Sequence, residues 1–128
     1  MASETHKPTI LVCDDEEGIR ESFKLILEDN YSLKFSKNGL DALELLKSFT
    51  PDLMLLDIKM PKLHGMEILK QVKALKPKLP VIIVTGYQSV ETAQEALRNG
   101  AADYIPKPFD SKHVLRSISQ TLQEAAKK

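Results

Sequence analysis

Cysteine occurs once in this sequence, at Cys13, and a single thiol cannot close an internal disulfide. It sits inside an apolar run and reads as a small core residue. The three histidines, His6, His64 and His113, are scattered and read as surface residues. Net charge is missing as well: 18 Lys and Arg residues balance 18 Asp and Glu. That leaves no electrostatic case for binding nucleic acid or a membrane surface. No apolar run approaches the roughly 18 residues that a membrane span needs. The opening "MASETHKP" lacks an apolar signal segment, so a cytoplasmic location follows by default. Repeats, low-complexity tracts and long linkers are likewise absent. What is present is 42% hydrophobic residues in a chain of 128. This suits one domain with a real core and argues against disorder.

The hydrophobic pattern alternates between two periods along the chain. "TILVC" reads as a strand, and "GIRESFKLILED" places Ile19, Phe23, Ile26 and Leu27 on one helical face. "YSLKFS" is a weaker, edge-like strand, and "GLDALELLKS" is a helix carrying Leu40, Leu43 and Leu46. "PDLMLLD" and "PVIIVTG" are apolar throughout, with the helical "MEILKQVKAL" between them. A helix from about Val90 to Arg98, a short strand in "ADYIPKPF" and a closing helix with Val114, Leu115, Ile118 and Leu122 inward complete the series. Strands apolar on both faces belong to a parallel sheet covered by helices on each side. The expected fold is therefore α/β: a flavodoxin-like five-fold βα repeat with strand order 2-1-3-4-5.

In such sheets function gathers at the carboxyl ends of the strands. The first strand ends in Asp14-Asp15, the third in Asp57, the fourth in Thr85-Gly86 and the fifth in Lys107-Pro108. Ser36-Lys37, after the second strand, lies outside this group in the proposed order. Three carboxylates so close cannot all stay charged without a cation. Oxygen-only ligation, with no Cys or His nearby, favours Mg²⁺ or Mn²⁺ over zinc. An Asp leaving a strand beside a hydroxyl and a lysine is arranged to become an acyl phosphate. The metal would bridge phosphoryl and carboxylate oxygens, with Lys107 and Thr85 holding the rest.

Four segments carry a family resemblance: "DD" at 14–15, "LMLLDIKMPKLHG" at 53–65, "VIIVTGY" at 81–87 and "ADYIPKPF" at 102–109. In order, each after its predicted strand, they resemble the receiver domain of two-component response regulators. The resemblance implies a flexible N-terminus over residues 1–8, a receiver domain over 9–125 and a C-terminal tail over 126–128. It makes Asp57 the acceptor of a phosphoryl group from a sensor histidine kinase or phosphotransfer protein. It makes Asp15 a direct Mg²⁺ ligand, Asp14 a ligand mainly through metal-bound water, and the Lys59 carbonyl the third protein ligand. Lys107 pairs with Asp57 and then with its phosphate. Thr85 turns inward onto the phosphoryl group, and Tyr104 follows from an exposed to a buried rotamer. Gly86 supplies the small residue beside the pocket. The resemblance also implies a cis Lys107–Pro108 peptide and an output face on the fourth helix, fifth strand and fifth helix. A downstream output domain or effector protein, and a phosphorylation-dependent homodimer, are the further partners it implies. Such a domain catalyses only its own phosphorylation and dephosphorylation. The loops look most like those of receivers in enhancer-binding activators, and the chain is either a stand-alone regulator or a receiver from a longer one.

A metal-dependent phosphatase of the haloacid-dehalogenase type is the alternative, since it too uses an aspartyl phosphate on a parallel sheet. Its nucleophile pattern, DxDx(T/V) after the first strand, fails here because position 13 is Cys13 and the acids are adjacent. No flavin-type phosphate loop follows the first strand either. Glu16 and Glu17 read as a charge cluster favourable at a helix N-terminus, without chemistry.

The resemblance places Lys59 and Tyr87, each two residues beyond a site position, on either side of the approach of water to the phosphorus, where they are expected to tune phosphoryl lifetime. Neither offers a carboxylate or amide to orient an attacking water. Autodephosphorylation is expected to be slow, and Tyr87→Ala and Lys59→Asn to lose phosphate on the order of tenfold faster. Phosphate-release kinetics on the three proteins check this, and unchanged or slower rates in both variants discard it.

Overall fold

The computed structural model describes residues 7–58, 65–86 and 90–127. Strands β1 (Thr9–Cys13), β2 (Ser32–Ser36), β3 (Leu53–Leu56), β4 (Val81–Thr85) and β5 (Asp103–Pro106) alternate with five helices. These are α1 (Glu17–Leu27), α2 (Gly39–Leu46), α3 (Gly65–Leu75), α4 (Val90–Arg98) and α5 (Ser111–Ala126). The sheet is parallel in the order β2-β1-β3-β4-β5, as the apolar patterning requires.

Successive side chains of a strand point to opposite faces, and the core divides accordingly. Ile10, Val12, Leu53, Leu55, Ile82 and Val84 meet Phe23 and Leu27 of α1 and Val114 and Ile118 of α5. Leu11, Cys13, Met54, Leu56, Val81 and Ile83 meet residues of α2, α3 and α4 on the other face. Every residue of β3 and β4 is buried, whereas the edge strand β2 alternates.

Local chemistry sets the helix ends. The Asn38 side chain accepts from the Asp41 amide at 2.8 Å and starts α2. Asp110 does the same for α5 through the Lys112 amide. Gly100, at φ 101°, ends α4 in a Schellman motif. There the Ala101 amide bonds the Ala96 carbonyl at 3.0 Å and the Gly100 amide bonds that of Leu97 at 3.1 Å.

One expectation fails on α2. Leu40 is 65% exposed, and the inward residues are Gly39, Ala42 and Leu46. The reason is the close approach of α2 to α3: a Cβ at Gly39 would lie 2.5 Å from Ile68 Cδ1. Gly39 and Ala42 are the small buried residues of α2, and Leu40, next to Gly39 on the helix, turns to solvent. His113 is half-buried on α5 rather than a plain surface residue, while His6 and His64 lie outside the described residues.

Gly65 opens α3 directly against the peptide just beyond Asp57. A Cβ there would fall well inside 3.0 Å of the Ile58 backbone, whereas one at Gly18 in α1 meets nothing within 4 Å. Gly65→Ala is therefore expected to destabilise the fold by about 1–3 kcal/mol, through overpacking against backbone that cannot rotate away. Gly18→Ala should stabilise it by up to about 1 kcal/mol, by helix propensity. Urea denaturation of both variants checks the contrast, and equal midpoints would contradict the close approach.

Candidate functional site

The strand register assembles the site. Cys13 pairs with Leu56, so the next residues, Asp14 and Asp57, emerge side by side. The Asp57 amide continues the ladder by donating to the Cys13 carbonyl at 3.0 Å. On the other side, Thr85 pairs with Pro106, and the Lys107 amide donates to the Thr85 carbonyl at 2.9 Å. The adjoining Lys107–Pro108 peptide is cis. Four of the sequence-derived site residues thus stand at one sheet edge.

Asp14, 1% exposed, has both backbone and side-chain groups engaged. Its amide donates to the Ser36 carbonyl at 3.1 Å, and its carbonyl accepts from Arg20 Nη1 at 2.7 Å. Its Oδ1 accepts from the Glu16 amide at 2.9 Å, and its Oδ2 lies 2.9 Å from Lys107 Nζ. The same ammonium reaches Asp57 Oδ2 at 3.0 Å and Glu16 Oε1 at 3.2 Å. Asp57 and Thr85 are buried beside it. Asp15 is exposed, and its side chain makes no hydrogen bond or ion pair among the described residues.

Burial pushes the Asp14 carboxyl up from the ordinary range, against the lowering effect of Lys107 and the Glu16 amide. Burial opposes the charged form of Lys107, but hydrogen bonds to Asp14 and Asp57 outweigh it and hold the ammonium well above the usual lysine range. Burial also drives the Cys13 thiol up to about 12, although its bond to Ser36 works the other way. Cys13 is a protonated core residue and no metal ligand. Burial, with the Asp57 charge added, holds the Tyr104 phenol above its ordinary range. The Tyr104 ring is half-buried against the cluster that contains Leu56 and Ile83.

Asp14, Asp15, Glu16 and Asp57 each place a carboxylate oxygen within 4.8 Å of the others. A set of hard oxygen donors without sulfur or imidazole fits Mg²⁺ or Mn²⁺. The Lys107 ammonium serves as cation to three of these four acids, and Asp15 is the one it does not reach. Lys59 and Tyr87 lie outside the described residues. At Gly86 an added Cβ would meet nothing within 4 Å among the described residues, so internal crowding does not explain that glycine.

Sequence reasoning misses two residues of the site. Glu16 reads there as a charge cluster only, and its partner Lys107 is 91 positions away. Arg20 is assigned nothing there beyond its place in the segment "GIRESFKLILED".

Residues 10–119 match the family model described as the response regulator receiver domain. The chain is 40% identical over 114 residues to the transcriptional regulatory protein ZraR of Klebsiella oxytoca, covering 88% of this chain and 26% of that protein. It is 38% identical over 115 residues to the regulatory protein AtoC of Escherichia coli K12, covering 89% and 25%. It therefore spans only about a quarter of the length of these two relatives. Among solved structures, a CheY-like receiver domain protein from Methanospirillum hungatei JF-1 superposes with a TM-score of 0.90 at 34% identity, covering 95% of this chain and 98% of that one.

Removing the shared ammonium should be costly. Lys107→Ala is expected to destabilise the fold by about 3 kcal/mol at neutral pH, because buried acids lose their counter-ion. A carboxyl whose folded pKa lies above its unfolded value favours the native state most in acid, and that advantage fades as pH rises through the folded value. Asp14 is such a group and rises further without Lys107, so the variant's deficit should shrink from pH 7.5 to pH 5. The contribution of Lys107 itself, whose folded pKa is raised, persists through neutral pH and is lost only above the ordinary lysine range. Urea titrations of both proteins at the two pH values check this; a deficit that does not change with pH contradicts it.

Proposed function

Because the chain belongs to the response regulator receiver family, we propose that it is a phosphorylation-dependent signalling switch that takes a phosphoryl group onto Asp57. The observation that carries this reading is the Lys107 ammonium, 3.0 Å from Asp57 and 2.9 Å from Asp14, at a sheet edge that Thr85 also reaches.

An Asp57 oxygen attacks the phosphorus of a phosphohistidine, on a sensor kinase or phosphotransfer protein. The new bond is O–P, the P–N bond breaks, and its electron pair leaves with the imidazole. Lys107 donates a hydrogen bond to Asp57 Oδ2 at 3.0 Å and so orients the nucleophile. As charge builds on the phosphoryl oxygens, the same ammonium moves from carboxylate to phosphate, and the Thr85 hydroxyl donates from the adjacent strand. A divalent cation held by Asp15 and Asp57, with Asp14 behind them through water and the Lys59 carbonyl as a further ligand, would neutralise the incoming phosphoryl charge. Magnesium is the best fit to these donors.

The switch follows from differential contact. A phosphoryl group gives Thr85 a partner present in only one state, which is what a population shift requires. Tyr104, half-buried on β5, is the ring that would follow Thr85. The responding face is α4, β5 and α5, where Val90 and Leu97 are 73% and 50% exposed on α4. That face serves an output domain, an effector or a second phosphorylated copy. Two relatives that carry regulatory names, one of them transcriptional, favour a transcriptional output.

Asp57→Asn is expected to take up no phosphoryl group from acetyl phosphate, while the parent labels once per chain and only with Mg²⁺. Thr85→Ala should still be labelled but show little amide shift along α4, β5 and α5. Equal labelling of the Asn variant, or turnover of a generic phosphomonoester, would overturn the reading. Parent-like shifts in the Ala variant would remove Thr85 from the switch.

A further inference from the structure

Arg20 stands in the first turn of α1, half-buried, with its side chain turned back over the start of the helix. Its Nη1 donates to the Asp14 carbonyl at 2.7 Å. That oxygen belongs to the peptide unit that joins Asp14 to Asp15. The unit is anchored on its near side by the Asp14 amide bond to Ser36, at 3.1 Å. On its far side, the Glu16 amide reaches back to Asp14 Oδ1 at 2.9 Å. Asp15 adds no restraint of its own, being exposed and without a side-chain partner among the described residues. Its direction is set by the backbone beneath it, and Arg20 is the one side chain that pins that backbone at the Asp14 carbonyl among the described residues. A guanidinium suits this role, because its rigid fork loses less freedom per hydrogen bond than a lysine ammonium.

We propose that Arg20 is a positioning residue for divalent-cation binding, holding the Asp14–Asp15 peptide so that the Asp15 carboxylate is presented toward Asp57. This rests on the reading of Asp15 and Asp57 as metal-holding residues given above.

Charge alone gives the opposite sign. A guanidinium beside a cation site repels the cation, so if Arg20 acted only as a charge, its removal would tighten Mg²⁺ binding. If it acts as a support, removal loosens binding, because the loop must then be ordered at the moment of association. Residues that support metal ligands are typically worth about ten- to a hundredfold in affinity.

The test titrates Mg²⁺ alone into the intact 128-residue chain and follows the Asp15 and Glu16 amide resonances. The proteins are the parent, Arg20→Met, Arg20→Lys and Asp15→Asn. Arg20→Met is expected to bind about tenfold more weakly, while Arg20→Lys, which keeps a donor and the charge, lies closer to the parent. Parent-like or tighter binding by Arg20→Met overturns the proposal. Asp15→Asn separates the two levels: parent-like binding there means that the metal reading itself has failed. Should Arg20→Met not fold, the parent supplies the answer. Its Asp14 carbonyl-carbon and Arg20 guanidinium resonances should move along the same Mg²⁺ curve as the Asp15 amide, and resonances that stay still overturn the proposal.

Discussion

At the carboxyl edge of the sheet, Asp14 and Asp57 are buried just past the ends of the adjacent strands β1 and β3, and Lys107 reaches both at about hydrogen-bond length. Two anions out of water, side by side, repel each other and lose hydration. One ammonium between them offsets both penalties, and its own burial is offset by the pair. The three groups therefore stabilise one another as a set, and none would be tolerated there alone. Other features of the site are arranged around this contact. Asp14 is braced from its backbone and side chain, Thr85 closes the β4 side, and Glu16 adds a third, more exposed carboxylate to the same ammonium.

Precision at the edge comes from the interior of the sheet. A parallel register shifted by one residue would turn core side chains to the wrong face. In β1 and β3, apolar on both faces, a slip is opposed by side-chain fit and by the acids at the strand ends, since it would draw Asp14 or Asp57 into the apolar interior. Because the register is fixed in the core, the first residue past each strand is fixed as well. Packing and function are joined in this way: Leu56 and Cys13 decide where Asp57 and Asp14 stand. The close approach of α3 to Ile58, which Gly65 permits, holds the peptide just beyond Asp57.

The strand order, the two-faced core and the gathering of Asp14, Asp57, Thr85 and Lys107 were legible in the sequence. Each depends on periodicity or on the residues just past an apolar run, and both are local patterns. Leu40 was misleading because hydrophobicity does not report how closely two helices approach; Gly39 and Ala42 carried that information as smallness. Glu16 was missed because its contact is made with the last strand, and no pattern within α1 points so far along the chain. Arg20 was missed for another reason. Its partner is a backbone carbonyl, and every residue has one.

The cation that neutralises the edge arrives late in the chain. Asp57 and Lys107 are 50 positions apart, and Glu16 and Lys107 are 91 apart. A ribosome adding about 5–20 residues per second takes about 3–10 s to travel from Asp57 to Lys107. During that interval β1 and β3 already exist as sequence, while their carboxylates have no ammonium to share. Docking of β5 therefore completes the sheet and discharges the repulsion at its edge in a single event. A nascent chain that has not yet made its fifth strand has Asp14, Asp57 and Thr85 in place as sequence, but lacks the edge strand β5 and the Lys107 ammonium that follows it.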